Sequence, residues 1–221
     1  MQNQQVIDAI YQYVRDQILS GAYPENKKIS ERVIGERFNV SRTIVRSAFY
    51  ELKKRGWLYT TSKSGTYVAP IDFEAVKENY EARLYTEASV LMMAYPHMEA
   101  ADFQRMREAC DVMEFGKREE YIFAETSLHD LLRRKTGNRY IMNFFDTMIE
   151  SMLRAASRSS IESSRKKESS AQWRTIISSL EQGNPYMASQ LLQAHMIESY
   201  NNFCKNYWGN TRPAGSDISE Q

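Results

Sequence analysis

The sequence predicts a mainly α protein in two parts: three short helices closed by a small β-hairpin, then an antiparallel bundle of longer helices. Three observations lead there. Apolar residues recur every three to four positions over most of the chain, the period of a helix with one buried stripe. Between Trp57 and Val68 that period gives way to β-branched and aromatic residues on either side of Ser62-Lys63-Ser64-Gly65, which is hairpin chemistry. Charge divides along the same line, with eleven Lys and Arg against six Asp and Glu in residues 1–70, and 18 against 22 in residues 71–221.

The elements follow in order. Val6, Ile7, Ile10, Val14, Ile18 and Leu19 form the stripe of a first helix that Gly21 ends, and Pro24 to Lys28 read as a turn. Ser30 is placed to cap a second helix carrying Val33, Ile34 and Phe38 inward. After a break at Asn39-Val40, Ser41 starts a third helix with Ile44, Val45, Ala48, Phe49 and Leu52 on one side and Arg42, Thr43 and Arg46 on the other. Gly56 stops it, and the hairpin follows with Lys63 at its tip. Two tightly joined helices and such a hairpin make a winged helix-turn-helix over residues 1–70, with Ala69-Pro70-Ile71 as connector.

Helical period resumes over about 72–94, 99–115, 117–136, 138–157, 163–182 and 185–207, giving a bundle over residues 71–208. The Met-rich stretches, Met92, Met93, Met106, Met113, Met142, Met148 and Met152, stand at helical spacing and are expected in its core. Ser159-Ser160 and Ser163-Ser164 with Arg165-Lys166-Lys167 read as a solvated loop. Residues 209–221, rich in Gly, Asn, Ser and Pro, are expected to be a disordered tail.

Composition excludes several classes. At 221 residues and a net charge of +1 the chain is neither a disulfide-stapled miniprotein nor a polybasic coat, although the basic first part suits a polyanionic partner. Cys110 and Cys204 lie far apart with no Cys-x-x-Cys spacing, which supports neither a disulfide framework nor a cysteine zinc site. The start lacks the basic and apolar regions of a secretory leader, and the most apolar stretch, Ala88 to Tyr95, is too short to span a bilayer. A cytoplasmic protein with no membrane partner is expected.

Two constellations carry chemistry. In Val40-Ser41-Arg42-Thr43-Ile44-Val45-Arg46 the positive end of the third helix favours an anion, and Arg42 and Arg46 lie one turn apart on its exposed face. Arginine's fork matches guanine O6 and N7 or a phosphate, so this helix suits a major groove. The second constellation is Glu125, His129 and His195. Glu125 and His129, at i and i+4, share one helix face, and His195 comes from another helix; two imidazoles and a carboxylate could hold a divalent metal. Arg83 is the further candidate: a guanidinium inside a bundle needs a partner, either Glu87 one turn on or the carboxylate of a small ligand.

Residues 10–68 resemble the DNA-binding domain of the GntR superfamily of bacterial regulators. The resemblance runs through Ile18-x-x-Gly21, Ile29-Ser30-Glu31-Arg32, Phe38-Asn39-Val40-Ser41-Arg42-Thr43, Leu52-x-x-x-Gly56-Trp57-Leu58 and Gly65-Thr66-Tyr67-Val68. The later helices resemble the helical sensing domain of its FadR-type branch, the FCD domain, through Arg83-x-x-x-Glu87, Leu128-His129 and Ala194-His195-Met196. The resemblance implies that Arg32, Arg42 and Arg46 contact DNA, that Ser41 and Thr43 bind its backbone, and that Lys63 and Gly65 place the wing in a minor groove. It also implies an effector pocket at Arg83, Glu125, His129, Trp173 and His195. Trp173 stands where many members of the branch carry a further histidine, and an indole cannot ligate a metal. No cofactor is therefore expected; a divalent metal, if bound, would use Glu125, His129 and His195.

Together these readings point to a sequence-specific transcription regulator, not an enzyme, whose operator binding responds to a small-molecule effector, a carboxylate by the argument for Arg83. One module of this size neutralises few phosphates, so a homodimer on palindromic double-stranded DNA is expected. The competing readings are a metal-assisted hydrolase using Glu125, His129 and His195, and a nucleic-acid-binding adaptor without sequence preference.

Overall fold

A computed structural model of the chain describes residues 2–61, 65–146, 148, 149, 151, 153, 154 and 163–208. It divides into two compact units, Met1–Asp72 and Phe73–Gln221.

The first unit holds α1 (Gln2–Leu19), β1 (Lys28–Ile29), α2 (Glu31–Phe38), α3 (Arg42–Lys54), β2 (Leu58–Thr61) and β3 (Gly65–Val68). Helices α1 and α3 pack on each other through Ile10, Val14, Val45, Phe49 and Leu52, with Ile34, Trp57 and Val68 closing the core. Each such side chain contributes about 1.5–3 kcal/mol by leaving water, which is what fixes α3 while its polar face stays free. The Ser30 hydroxyl accepts from the Val33 amide at the start of α2, and Asn39 closes that helix in the left-handed region at φ 51°. Gly35 lets the α2–α3 turn close, since a Cβ there would meet the Val40 carbonyl oxygen at 3.1 Å.

Two expectations fail in this unit. Val33 does not face inward; it is 49% exposed, because the eight-residue α2 has room for a buried stripe of Ile34 and Gly35 only. The stretch read as a turn ends in a strand, β1, which pairs antiparallel with β3 and puts Lys28 opposite Tyr67. The sheet order is β1-β3-β2. A two-residue strand gives no periodic signal, so nothing in the sequence marked it.

The second unit holds α4 (Phe73–Ala94), a 3₁₀ turn at Tyr95–His97 around Pro96, α5 (Ala100–Phe115), α6 (Arg118–Lys135), α7 (Arg139–Asp146), α8 (Ser163–Glu181) and α9 (Pro185–Trp208). Helix α4 packs on α9 and α6, α5 on α6 and α8, and α8 on α9. Leu91, Met106, Met113, Leu128, Leu132, Trp173, Ile176 and Leu192 make the core. Among the methionines, Met106 and Met113 are buried as expected, but Met92 and Met93 are exposed. The supposed loop from Ser163 to Lys167 is the first turn of α8, with Arg165 buried. Lys63, Met152, Ser159-Ser160 and the tail lie outside the described residues. No helix among the described residues is long and apolar enough to cross a membrane.

Candidate nucleic-acid interface and effector pocket

On the first unit, Ser41 takes the extended N-cap conformation at the start of α3, but its hydroxyl makes no capping bond. Arg42, Thr43 and Arg46 follow on the exposed face. The three arginines are electrostatically unequal. Arg32 Nη1 donates to Glu36 Oε1 at 2.7 Å and Arg46 Nε to Glu31 Oε2 at 2.9 Å. Arg42 makes no ion pair or hydrogen bond among the described residues, and it lines a concave surface with Lys28, Ser30, Glu31, Arg32, Gly65 and Thr66. Gly65, at φ +114°, brings β3 close to that surface; a Cβ there would meet Lys28 Cε at 3.0 Å. Sequence reasoning missed Lys28 because it depends on β1, and missed Glu31 because a lone carboxylate at a helix start reads as dipole compensation.

On the second unit, one face of α4 and one face of α6 meet. Glu125, His129 and Arg133 stand four residues apart along α6, so they stack in one row. Glu87 of α4 is the hub. Its Oε1 lies 2.6 Å from Arg133 Nη2 and 3.1 Å from Arg83 Nε, and its Oε2 lies 3.1 Å from His129 Nδ1. All four residues are buried. Burial pushes the Glu87 carboxyl upward, but His129, Arg83 and Arg133 outweigh it and hold the group well below the carboxylate range. Burial pushes the His129 imidazole down to about 4 against the opposing pull of Glu87, so the ring is neutral at pH 7. A neutral ring donating Nδ1–H to Glu87 presents a bare Nε2 lone pair. Arg133 also stacks on Phe145, with its guanidinium 4.3 Å from the ring centroid.

His195 of α9 is tied by Nδ1 to Gln172 Oε1 at 2.8 Å, and its Nε2 lies 3.2 Å from Glu125 Oε1 without hydrogen-bond geometry. Burial raises the Glu125 carboxyl, yet His195, Arg165 and Tyr121 bring it down to about 2. Trp173 is buried against both imidazoles, with ring centroids 5.0 Å from His129 and 5.4 Å from His195. Glu125, His129 and His195 each offer one ligand atom, all within 4.8 Å of one another. Arg165 of α8, whose Nη2 donates to Ser199 Oγ at 2.8 Å, completes the surroundings. A cavity of about 60 Å³ opens among Tyr80, Arg83, Tyr121, Glu125, His129 and Arg165, room for roughly four waters or one small carboxylate.

Five of these residues, Tyr80 among them, were absent from the sequence reading of the pocket as members. Glu87 was seen only as a mate for Arg83. Arg133 was visible in principle, being one turn beyond His129. Tyr121 had the same signal in the other direction, and Arg165 had none.

Comparison with known proteins bears on the family and the fold. Residues 78–198 match the FCD domain, and residues 6–68 match the bacterial regulatory proteins of the gntR family. The arabinose metabolism transcriptional repressor of Geobacillus stearothermophilus is 45% identical over 53 residues, 24% of this chain and 15% of that protein, so the match spans a small part of that relative's length. The probable D-xylose utilization operon transcriptional repressor of Paenarthrobacter nicotinovorans is 27% identical over 199 residues, covering 86% of this chain and 85% of its own. Among solved structures, McbR/YncC of E. coli superposes with a TM-score of 0.76 at 14% identity, over 91% of this chain and 98% of that one. The two curated relatives are named as transcriptional repressors. The chain belongs to the gntR family of bacterial regulatory proteins, in the branch that joins the DNA-binding unit to an FCD domain.

Proposed function

We propose that the chain is a cytoplasmic transcription regulator that reads a palindromic operator as a homodimer and senses a small carboxylate in the pocket between α4, α6, α8 and α9. In this reading Arg32, Arg42 and Arg46 contact the duplex, Ser41 and Thr43 bind its backbone, and Lys63 and Gly65 set the wing. The effector is read as contacting Arg83, Glu125 and His129, which line the cavity, together with Trp173 and His195, which pack against His129 outside its lining. One observation carries the choice of ligand. Arg83, Arg165, Glu125 and the neutral His129 line the cavity, and Glu87 with Arg133 stands outside that lining, so that three guanidiniums meet two buried or half-buried carboxylates among the described residues. Glu168, 4.0 Å from Arg165, is 64% exposed and screened by water. A low-dielectric site with an excess positive charge is stabilised by a monoanion, and a carboxylate matches the guanidinium fork.

Three donors suffice for a divalent ion with open positions, and Glu125, His129 and His195 would hold it, supplying a Lewis-acidic contact for a carboxylate oxygen. The guanidiniums need no such ion, and Trp173 occupies the wall where a further imidazole would stand, so the effector is proposed to bind without a resident metal. Binding then shifts the regulator between states of different DNA affinity.

Selection of bound duplexes from a random pool, followed by titration of small carboxylates against the selected operator, tests the whole reading. It expects an inverted repeat, two chains per duplex in the ultracentrifuge, and a carboxylate that changes operator affinity in the parent but not in Arg165→Met. A pool without enrichment, or a monomer on a half-site, would overturn the reading of the first unit. Carboxylates that act equally on parent and Arg165→Met would overturn that of the second.

A further inference from the structure

The Arg46–Glu31 pair carries an inference about how bases are chosen, resting on the reading of α3 as the helix that enters the groove. Arg46 Nε donates to Glu31 Oε2 at 2.9 Å, and the two terminal nitrogens of Arg46 make no hydrogen bond among the described residues. The Arg46 side chain is 68% exposed while Glu31 is 29% exposed, so the carboxylate forms the more fixed base and the fork is the part that faces outward. The Glu31 backbone is fixed as the first residue of α2, directly after the N-cap Ser30. A guanidinium held through Nε has lost rotation about its last bonds, and what it offers is the pair of parallel N–H groups that fits guanine O6 and N7.

We propose that Glu31 is a positioning residue for base recognition: it sets the plane of Arg46 so that the free edge of the guanidinium reads one guanine, while Arg42 and Lys28, which have no carboxylate partner among the described residues, supply the attraction to phosphate. The division follows from charge. An arginine neutralised by a neighbouring carboxylate gains little from the phosphate field, because the same carboxylate is repelled by it. It keeps its hydrogen-bond geometry, which is what discriminates between bases. Arg42 at the start of α3, unpaired among the described residues, keeps its full charge.

The pair therefore trades affinity for selectivity, and removing the carboxylate should shift the two in opposite directions. In Glu31→Gln the preference for guanine at one position of each half-site should fall about 5- to 50-fold, within the range that one bidentate contact provides. Affinity for unrelated duplex should rise, about fivefold at low salt, since one negative charge near the phosphates is gone. Glu31→Asp separates geometry from charge: the shorter side chain withdraws the oxygen from Nε but keeps its repulsion, so guanine preference should fall with no gain in non-specific affinity. Arg42→Ala should lower affinity for all sequences alike and reduce the salt slope by about 1.

The measurement is selection from a random pool with parent and variants, with non-specific binding titrated in parallel and circular dichroism confirming the fold. Loss of affinity in Glu31→Gln that is equal for every sequence, with base preference unchanged, would overturn the proposal and leave Glu31 as a packing residue. Guanine preference retained in Glu31→Asp would overturn it as well. A parent protein that enriches no sequence would remove the reading of α3 itself, a failure distinguishable from either of these.

Discussion

The buried cluster around Glu87 gives an ordering of stabilities opposite to the one that side-chain size suggests. Glu87 is fully buried and holds two guanidiniums and a neutral imidazole at 2.6 to 3.1 Å. Glu87→Gln keeps the volume and one acceptor but leaves Arg83 and Arg133 facing each other with no anion between them. Breaking a buried pair by removing one partner costs about 3–5 kcal/mol, a large share of the 5–15 kcal/mol typical of a whole domain. At roughly 2–4 °C per kcal/mol for a unit of this size, the second unit should melt about 6–20 °C lower. Arg133→Met removes a larger polar group and its stacking on Phe145, yet it leaves Arg83 and Glu87 as a balanced one-to-one pair. A loss of about 1–2 kcal/mol is expected.

Calorimetry of the full chain at pH 7 reads both variants against the parent. Added acetate supplies a second readout, because the cluster in Glu87→Gln carries one more uncompensated positive charge and should gain more from an anion than the parent does. Arg133→Met melting at or below Glu87→Gln would refute the reasoning, and so would Glu87→Gln melting within 2 °C of the parent, a margin of about 1 kcal/mol.

Three further outcomes are expected. His129 titrates near 4 in the folded chain against roughly 6.5 when unfolded; the unfolded state alone takes up a proton in that window, so stability is complete above pH 6.5 and falls by about 3 kcal/mol as pH drops to 4. Urea titrations across pH 4–7 should show this slope in the parent and its loss in His129→Gln. Metal analysis after dialysis should return no stoichiometric zinc or nickel from the parent and about one equivalent from Trp173→His; a full equivalent in the parent would place the effector on an ion. Operator titrations should show Arg46→Ala costing about 1–3 kcal/mol per contacted base and relaxing preference at one position, whereas Lys63→Ala weakens all sequences alike and lowers the salt slope by about 1.

Most of the fold was legible because it rests on period. The stripe Ile10, Val14 on α1 and the stripe Val45, Phe49, Leu52 on α3 are the residues that pack, and Ser30, Asn39 and Gly56 stand where caps and stops must be. What period does not encode was misread. Strand β1 is two residues long, shorter than any repeat, and it forms only because β3 offers it a partner 37 or more residues later in the chain. Val33, Met92 and Met93 are apolar by type and exposed by place, since a short or two-faced helix does not bury every apolar residue it carries.

The pocket shows the same limit from the side of charge. The α6 row Glu125, His129, Arg133 could be read from one helix, because i,i+4 spacing is a local property. That Glu87 meets His129 and Arg133 of this row depends on how α4 packs across α6, a contact 42 to 46 positions apart in sequence. Arg165 is the stronger case. Flanked by serines and lysines, it has the composition of a solvated loop, yet α8 carries it to 6% exposure beside Ser199. A guanidinium survives such burial only where acceptors or an anion meet it, and here they are the Ser199 hydroxyl, the exposed Glu168 at 4.0 Å, the nearby charge of Glu125 and the cavity itself. The residue that looked least functional in the sequence is thus the one on which the proposal of an anionic ligand leans most.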